Sequence, residues 1–192
     1  KFALVENFWE TGFGMASFTL LGPQVIRMPF ILASSYPHEI LHNWWGNSVF
    51  VDYATGNWCE GLTAYMADHL FKEQIGEGTA FRRDTLKRYR DYVKEGHDFP
   101  LNEFRSGHSA ATEAVGYGKT MMGFHMLRRK FGDDTFRKAL QDFYRAERGE
   151  RAGFMDVKRV FAKTGGVNLD AFFDQWVNRA GAADLRLEKV RH

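Results

Sequence analysis

Cysteine is almost absent from this chain of 192 residues, since Cys59 is the only one. A single thiol cannot build a disulfide framework or a zinc site made of cysteine thiolates. An excess of one charge sign is also missing, because 26 Lys and Arg residues nearly balance 24 Asp and Glu residues, for a net charge of +2. That balance argues against a nucleic-acid-binding role that depends on bulk positive charge. No apolar run approaches the roughly 20 residues that a membrane-spanning helix needs, so the sequence predicts no spanning segment.

The residues that are abundant suit a folded domain with a substantial core. Apolar residues make up 44% of the chain and aromatic residues 16%, which is typical of a globular protein rather than a disordered one. The chain begins with Lys1 rather than methionine and ends on "DLRLEKVRH", whose polar-apolar alternation predicts the beginning of a strand. We therefore expect the chain to be part of a longer protein whose other domains lie outside this sequence.

The pattern of glycine, proline and apolar residues predicts a mainly α domain with a short β element at its start. Residues 12–26 are rich in apolar residues and interrupted by glycine, which favours an extended segment or edge strand. Pro37 suits the first turn of a helix, Ser34 or Ser35 could cap that helix, and Gly46 would end it. Apolar residues at helical spacing predict further helices over residues 60–75, 81–96, 111–131, 133–147, 154–164 and 168–180, with breaks at Gly132, Gly149 and Gly165-Gly166.

The stretch "SSYPHEILHNWWGNSV", residues 34–49, carries the strongest functional signal. Residues four apart on an α-helix are about 40° apart around its axis, so His38 and His42 project from one face and can bind one divalent cation. Glu39 flanks that face, about 60° from His42, and lies close to the ion without binding it. A general base that takes a proton from an activated water needs this position. The alternative is an ordinary buried helix in which the pattern arises by chance.

A catalytic zinc site needs a third protein ligand, with the fourth position left for water. Glu60 lies 18 positions after His42 in "NWCEGLTAYMADH", at the start of the next helical segment. An antiparallel helix pair could bring Glu60 across from the two histidines, and two histidines with one glutamate form the ligand set of a zinc hydrolase. Taken alone, Glu60 is better explained as an acidic residue favoured by the N-terminus of its helix. Asp68 is either a partner that orients a histidine or a surface charge.

The motifs "HEILHNWWGN" and "WCEGLTAY" together resemble the signature of the aminopeptidase N-type gluzincins, the alanyl-aminopeptidase family of zinc peptidases. The resemblance covers nearly the whole chain and implies a thermolysin-like zincin catalytic domain, of which this chain contains the helical part. It implies one zinc ion held by His38, His42 and Glu60, with Glu39 as general base. The implied activity is hydrolysis of a peptide substrate with removal of N-terminal residues. On this basis we expect residues 1–182 to form the catalytic domain and residues 183–192 to begin a following segment or tail.

The same resemblance implies a second catalytic side chain. The segment "AVGYGKTMMGFHML" carries Tyr117 and Lys119 in a context that matches the family's Tyr-x-Lys pattern. There the tyrosine hydroxyl stabilises the oxyanion of the tetrahedral intermediate, and a phenol donor opposite the zinc suits that role physically. The alternative is that Tyr117 is a core aromatic residue.

One segment departs from the family pattern. Family members have a Gly-x-Met-Glu-Asn strand whose glutamate holds the α-amine of the peptide, whereas "GFGMASFTLLG" places Ala16 and Ser17 at those two positions. A cationic amine needs an anionic partner, and Glu10 upstream is the nearby candidate. Two alternatives to an aminopeptidase therefore stay open. One is an endopeptidase or other zinc hydrolase without α-amine recognition, and the other is a non-catalytic interaction module on the same scaffold.

Overall fold

The computed structural model describes residues 2–93 and 96–182 of the chain. Helices dominate these residues, and their β structure consists of a three-stranded sheet and a pair of two-residue strands. The mainly α architecture predicted from the sequence is confirmed. Residues 183–192, where we predicted the start of a following segment, lie outside the described residues. Within the described ranges, no helix is long and apolar enough to cross a membrane.

The N-terminal sheet contains three strands in the order β1-β3-β2, namely β1 (Ala3–Glu6), β2 (Gly12–Met15) and β3 (Phe18–Leu21). Strand β3 runs parallel to β1 and antiparallel to β2. The hairpin between β2 and β3 turns at Ala16-Ser17, where Ser17 adopts a φ of 69°. The extended segment predicted over residues 12–26 is confirmed as far as Leu21, whereas Val25–Arg27 forms a 3-10 turn. Strand β2 lies at one edge of the sheet, which leaves its other side available to the helix that follows.

Helix α1 (Ser35–Leu41) is shorter than the sequence predicted, because it ends at Leu41 rather than near Gly46. The next amides, those of Asn43 and Trp44, bond to carbonyls only three residues back, which is the geometry of a turn rather than of an α-helix. Ser34 occupies the N-cap position, but its hydroxyl donates to the carbonyl of Phe30 and caps nothing. The predicted serine cap was therefore wrong, because the preceding 3-10 turn supplies a competing acceptor.

The remaining helices lie close to the predicted segments. A continuous helix, predicted over residues 60–75, consists of α2 (Cys59–Ala64), a π-helical turn (Tyr65–His69) and α3 (Leu70–Gln74). Helix α4 (Gly78–Tyr92) begins three residues before the predicted segment and ends before Gly96. The helix predicted over residues 111–131 consists of α5 (Ala110–Glu113), a second π-helical turn (Ala114–Lys119) and α6 (Thr120–Phe131). The last three are α7 (Asp133–Glu147), α8 (Phe154–Gly165) and α9 (Asp170–Trp176).

A short strand pair was missed by the sequence analysis. Strand β4 (Phe50–Val51) lies in a segment for which the sequence analysis proposed no helix or strand, and it pairs in parallel with β5 (Arg151–Ala152). Strands of two residues have no room for a periodic pattern, and their partners here lie about 100 residues apart, so only the folded chain brings them together. The pair connects the loop after α1 to the start of α8.

The hydrophobic core lies directly behind α1 and α2. The Trp58 ring packs edge-on against Phe143 of α7 at a centroid distance of 5.1 Å, and the Trp45 ring stacks on Phe143 at 6.0 Å. The buried Trp58 indole donates to the carbonyl of Ala152 at 2.7 Å, which ties α2 to β5. Trp45 is buried in this core, whereas its neighbour Trp44 is 45% exposed. The core therefore fixes the end of α1 and the start of α2 against one helix.

A buried polar network lies behind the first π-helical turn. The His69 ring is fully buried and stacks on Tyr65, with ring centroids 4.8 Å apart. Arg82 of α4 donates to Nε2 of His69 at 2.7 Å, and Arg128 of α6 binds Glu73 at 2.6 Å. Burial lowers the pKa of His69 to about 4, an effect opposed by the charge of Glu73 and assisted by that of Arg82. The ring is therefore neutral, and the network holds the π-helical turn against α4 and α6.

The buried His69 predicts a pH dependence of stability. In the unfolded chain a histidine binds a proton below about pH 6.5, whereas folded His69 remains neutral until the pH approaches 4. Unfolding therefore takes up a proton in this window, and the free energy of unfolding should fall by roughly 3 kcal/mol as the pH decreases through it. Urea titrations at several pH values should show a shallower dependence for His69→Gln. The matched control is His97→Gln at an exposed position, which should keep the full dependence; equal slopes for His69→Gln and the unmutated protein would contradict the interpretation.

Candidate metal centre

Three side chains from two helical segments converge on one point. His38 lies on α1, and His42 is the first residue after the end of α1 at Leu41. Glu60 lies in the first turn of α2. Glu60 Oε2 is 3.4 Å from Nε2 of His38 and 3.6 Å from Nε2 of His42. The three donor atoms all lie within 4.8 Å of one another, and no other such group occurs among the described residues. The structure therefore brings together the three residues predicted as metal ligands; their ligand role stays a prediction.

The spacing of these donors fits a zinc ion. Zinc bonds to nitrogen and oxygen donors are about 2.0–2.1 Å long, so adjacent ligands of a tetrahedral ion lie about 3.3 Å apart. The two distances from Glu60, 3.4 and 3.6 Å, are close to that value. They are long for hydrogen bonds between the same atoms. Two imidazoles and one carboxylate also leave a fourth tetrahedral position free for solvent or substrate.

The outer nitrogens of both imidazoles have their own partners. Nδ1 of His38 lies 3.0 Å from Oδ2 of Asp68, which belongs to the first π-helical turn. Nδ1 of His42 lies 3.0 Å from the Trp45 carbonyl oxygen and 3.4 Å from Sγ of Cys59. A hydrogen bond donated from Nδ1 leaves the lone pair on Nε2, the atom that faces Glu60. Of the two alternatives for Asp68, the structure favours the partner that orients a histidine.

Charge interactions in the site are strong before any ion binds. Burial alone lowers the pKa of His38, but hydrogen bonds with Asp68 and Glu60 outweigh burial and raise it to about 9. For His42, burial is likewise outweighed by its interactions with Cys59 and Glu60, which raise the pKa to about 12. Burial alone raises the pKa of Glu60, yet both histidines hold that pKa well below its usual range. Both imidazoles therefore bind protons readily, and a metal ion competes with these protons for the ring nitrogens.

Glu39 lies beside this donor set without joining it. Its side chain is buried, and burial raises the pKa of its carboxyl group, while the two histidines oppose that shift. Strand β2 passes directly over it, since a Cβ built on Gly12 would lie 2.5 Å from Oε1 of Glu39. A Cβ on Gly14 would likewise lie 2.5 Å from Cβ of His42. Only glycine lets the edge strand approach α1 this closely, and the sequence analysis missed this role of the Gly-x-Gly pair.

Tyr117 lies beside His38. Its ring is nearly parallel to the His38 imidazole, with centroids 6.4 Å apart. Burial, followed by the negative charge of Glu60, raises the pKa of Tyr117 above its ordinary value, which keeps the phenol protonated. Tyr117 belongs to the second π-helical turn and Asp68 to the first, and π-helical turns often occur at functional positions. Lys119, in contrast, is buried away from the metal cleft and donates to the carbonyl of Arg179.

The metal cleft, as we call the cavity over the three donors, has a volume of about 690 Å³. It is lined by Glu39, Tyr117 and residues 10–14 along with the metal donors, but neither Ala16 nor Ser17 reaches it. The Ser17 amide instead donates to Oδ1 of Asn43 at 2.8 Å. Glu10 does line the metal cleft, where its carboxylate accepts a hydrogen bond from the amide of Gln24 at 3.0 Å.

Comparison with known proteins finds one family model that matches most of the chain. The model of the peptidase family M1 domain matches residues 31–176. Aminopeptidase N of Lactococcus lactis is 23% identical over 168 residues, covering 80% of this chain and 19% of the relative. Alanine/arginine aminopeptidase of Saccharomyces cerevisiae is 23% identical over 169 residues, covering 84% of this chain and 20% of the relative. The chain thus spans about one fifth of the length of these relatives.

A solved structure shows the same fold. The crystal structure of an M1 zinc metallopeptidase from Deinococcus radiodurans superposes with a TM-score of 0.73 at 23% identity. The superposition covers 98% of this chain and 41% of that one. The thermolysin-like fold predicted from the motifs is therefore consistent with a solved structure.

The donor geometry predicts that zinc stabilises the folded chain. A ligand that binds only the folded state at one hundred times its Kd adds about 2.7 kcal/mol to the free energy of unfolding. Glu60→Gln should weaken zinc binding roughly a hundredfold, because a neutral amide replaces the anionic donor. The affinity should also fall as the pH decreases, since zinc competes with the protons on His38 and His42. Calorimetric titration with zinc measures both effects, with Glu77→Gln as an exposed control; an unchanged Kd for Glu60→Gln would contradict the ligand assignment.

Proposed function

This chain belongs to peptidase family M1, and on that premise we propose that it carries the zinc centre of a metallopeptidase that removes N-terminal residues from peptides. The observation that carries this proposal is the convergence of His38, His42 and Glu60 in a cavity that Glu39 and Tyr117 also line. The names of the curated relatives, all aminopeptidases, support removal of N-terminal residues as the activity. An intact donor set counts against a non-catalytic interaction module.

Zinc is the ion that these residues would hold. His38 and His42 would bind it through Nε2 and Glu60 through its carboxylate, in keeping with the donor spacing. When bound in such a site, zinc lowers the pKa of a water molecule towards neutrality and polarises a substrate carbonyl. Asp68 and the Trp45 carbonyl would hold the two imidazoles in the tautomer that this arrangement needs.

Glu39 would act as the general base. Its carboxylate takes the proton of the attacking water and later delivers it to the nitrogen of the leaving amine. Burial raises the pKa of this carboxyl group, and a more basic carboxylate is a better proton acceptor. Because β2 covers Glu39 at Gly12, the carboxylate has little freedom to swing away from the reacting water.

Tyr117 would stabilise the oxyanion that forms during attack. Its hydroxyl stays protonated, since burial and the Glu60 charge raise its pKa, and a phenol that keeps its proton can donate it in a hydrogen bond to the developing negative charge. The Tyr117 ring lies beside His38, whereas Glu39 lies on the β2 side of the metal cleft. The general base and the oxyanion donor therefore have different neighbours within the same cavity.

The general base predicts a specific loss of activity. Glu39→Gln should keep zinc bound but reduce kcat for aminoacyl and peptide substrates by roughly a hundredfold to ten-thousandfold, because an amide cannot accept the proton. Zinc content and turnover of the purified protein measure the two properties separately. Glu103→Gln, an exposed position outside the metal cleft, serves as the matched control. Unchanged turnover for Glu39→Gln would rule out the assigned role.

A second candidate function is cleavage within peptides, without recognition of the α-amine. It is favoured by the hairpin turn at Ala16-Ser17, which offers no carboxylate and does not reach the metal cleft. Comparing a free-amine peptide with its N-acetylated twin decides between the two functions. An aminopeptidase should cleave the free-amine peptide at least tenfold faster, as expected for loss of one charge-assisted contact; equal rates would favour the endopeptidase.

A further inference from the structure

A second cavity lies beside the metal cleft, on the far side of Asp68 and Tyr117. Its volume is about 510 Å³, and it is enclosed by α2, α4 and the helix that runs from α5 to α6. Asp68 and Tyr117 line both this cavity and the metal cleft. We call it the side cavity. Both side chains also contact His38: Asp68 lies 3.0 Å from its Nδ1, and the Tyr117 ring lies nearly parallel to its imidazole.

Small residues create the space of the side cavity. Ala64 of α2, Ala110 and Ala114 on the α5 side, and Gly118 of the second π-helical turn all line it. The helices nevertheless pack tightly at one end, where a Cβ on Gly118 would lie 3.1 Å from Cγ2 of Thr85. The side cavity is therefore a gap between helices that contact each other at one end.

One face of α4 forms the opposite wall. Phe81, Thr85, Arg88 and Tyr92 all line the side cavity, and their spacing of four, three and four residues places them within about 60° around the helix axis. Phe81 and Thr85 are half-buried on this stripe, whereas Arg88 and Tyr92 are exposed. Arg88 therefore places a guanidinium group at the solvent-accessible rim of the side cavity.

The charge of Arg88 has no partner in the part of the chain that the structure describes. No hydrogen bond or ion pair involves its side chain across residues 2–93 and 96–182, whereas its neighbour Arg82 binds His69 and Arg128 binds Glu73. Glu113 also lines the side cavity, but it lies against Gly107 and Tyr117 instead of pairing with Arg88. The third charged wall residue, Asp68, is engaged by His38. Arg88 is thus the cationic side chain of the cavity lining whose charge is available to an anionic ligand.

From this arrangement we propose that the side cavity is a substrate pocket in which Arg88 binds a carboxylate of the peptide. The proposal rests on the proposed peptidase function, since a peptide held at the metal donors reaches the side cavity past Tyr117. A guanidinium group matches a carboxylate with two parallel hydrogen bonds. The carboxylate comes either from an acidic side chain or from the free C-terminus of a short peptide. Glu113 tunes the selectivity by repelling the same group.

Removing the charge of Arg88 and removing the charge of Glu113 should change the substrate preference in opposite directions. The experiment uses the zinc-loaded protein in its natural full length. One pair of substrates is a glutamyl and a glutaminyl arylamide, and the other is alanine tripeptide with a free or an amidated C-terminus. Arg88→Gln should lower the charged-to-neutral ratio of kcat/KM about tenfold in one pair, as expected for loss of a charge-assisted contact. Glu113→Gln should raise that same ratio. The pair that responds identifies the source of the carboxylate.

Arg83→Gln is the matched control, because Arg83 is an exposed arginine of α4 that does not line the side cavity. It removes the same charge from the same helix and should leave both ratios unchanged. If Arg88→Gln leaves the charged-to-neutral ratio of kcat/KM unchanged in both substrate pairs, the proposal is overturned. This holds even if the unmutated protein cleaves all four substrates. A protein that cleaves none of them would instead contradict the peptidase function.

Calorimetric binding tests the pocket without turnover. L-glutamate should bind the unmutated protein more tightly than L-glutamine, and Arg88→Gln should abolish the difference while Arg83→Gln keeps it. A preference for glutamate that survives Arg88→Gln would overturn the proposal for the side-chain source. If only the tripeptide pair responds in the kinetic test, alanine tripeptide should bind more tightly than its amide in the same titration. If neither titration shows tighter binding of the carboxylate ligand, the pocket is refuted.

Discussion

The approach of the Glu60 carboxylate to the imidazoles of His38 and His42 is the contact on which the rest of the site depends. Burying these polar groups costs desolvation free energy, and that cost is offset only when they share protons or a cation. The aromatic core behind it makes that approach rigid, because Trp45 in the turn after α1 and Trp58 at the start of α2 both pack on Phe143. A second close contact brings in the third helix of the site, since a Cβ on Gly61 would lie 2.2 Å from Cβ of Thr120. Residues adjacent to Glu60 thus set the position of the helix that carries Tyr117.

Irregular backbone carries several of the side chains at the site, although His38, Glu39 and Glu60 lie on regular α-helix. Asp68 and Tyr117 each belong to a π-helical turn, and α1 ends one residue before His42. A π-helical turn accommodates one more residue than an α-turn and rotates the side chains that follow it. Such turns are less favourable than α-helix, so packing must hold them in place. For the first turn the packing includes the neutral His69 ring, with Tyr65 on one face and Arg82 at its edge.

The two cavities divide the charged groups of the site into different environments. In the metal cleft, Glu60 and Asp68 are paired with histidines, and the β2 backbone lies against Glu39. In the side cavity, Arg88 and Glu113 line opposite walls and remain without ion pairs within the described ranges. Paired charges suit a centre that must keep its geometry through a reaction, whereas unpaired charges suit a surface that meets variable ligands.

The sequence by itself pointed to the candidate metal site. His38, Glu39 and His42 stand at spacings set by helical periodicity, whereas Glu60 stands at the start of the next predicted helix and was assigned together with them through the family resemblance. The helix segments were predicted to within a few residues. The motifs also pointed to Tyr117, through a resemblance rather than through spacing. Only the tertiary structure decided which partners these groups have. The bonds of His38 to Asp68 and of His42 to the Trp45 carbonyl, the passage of Gly12 over Glu39, and the pairing of β4 with β5 join segments or turn geometries that no local pattern encodes. The physical reason is that periodicity reports which face of one element is apolar, while the position of a hydrogen-bond partner or a close backbone approach depends on how several elements pack together.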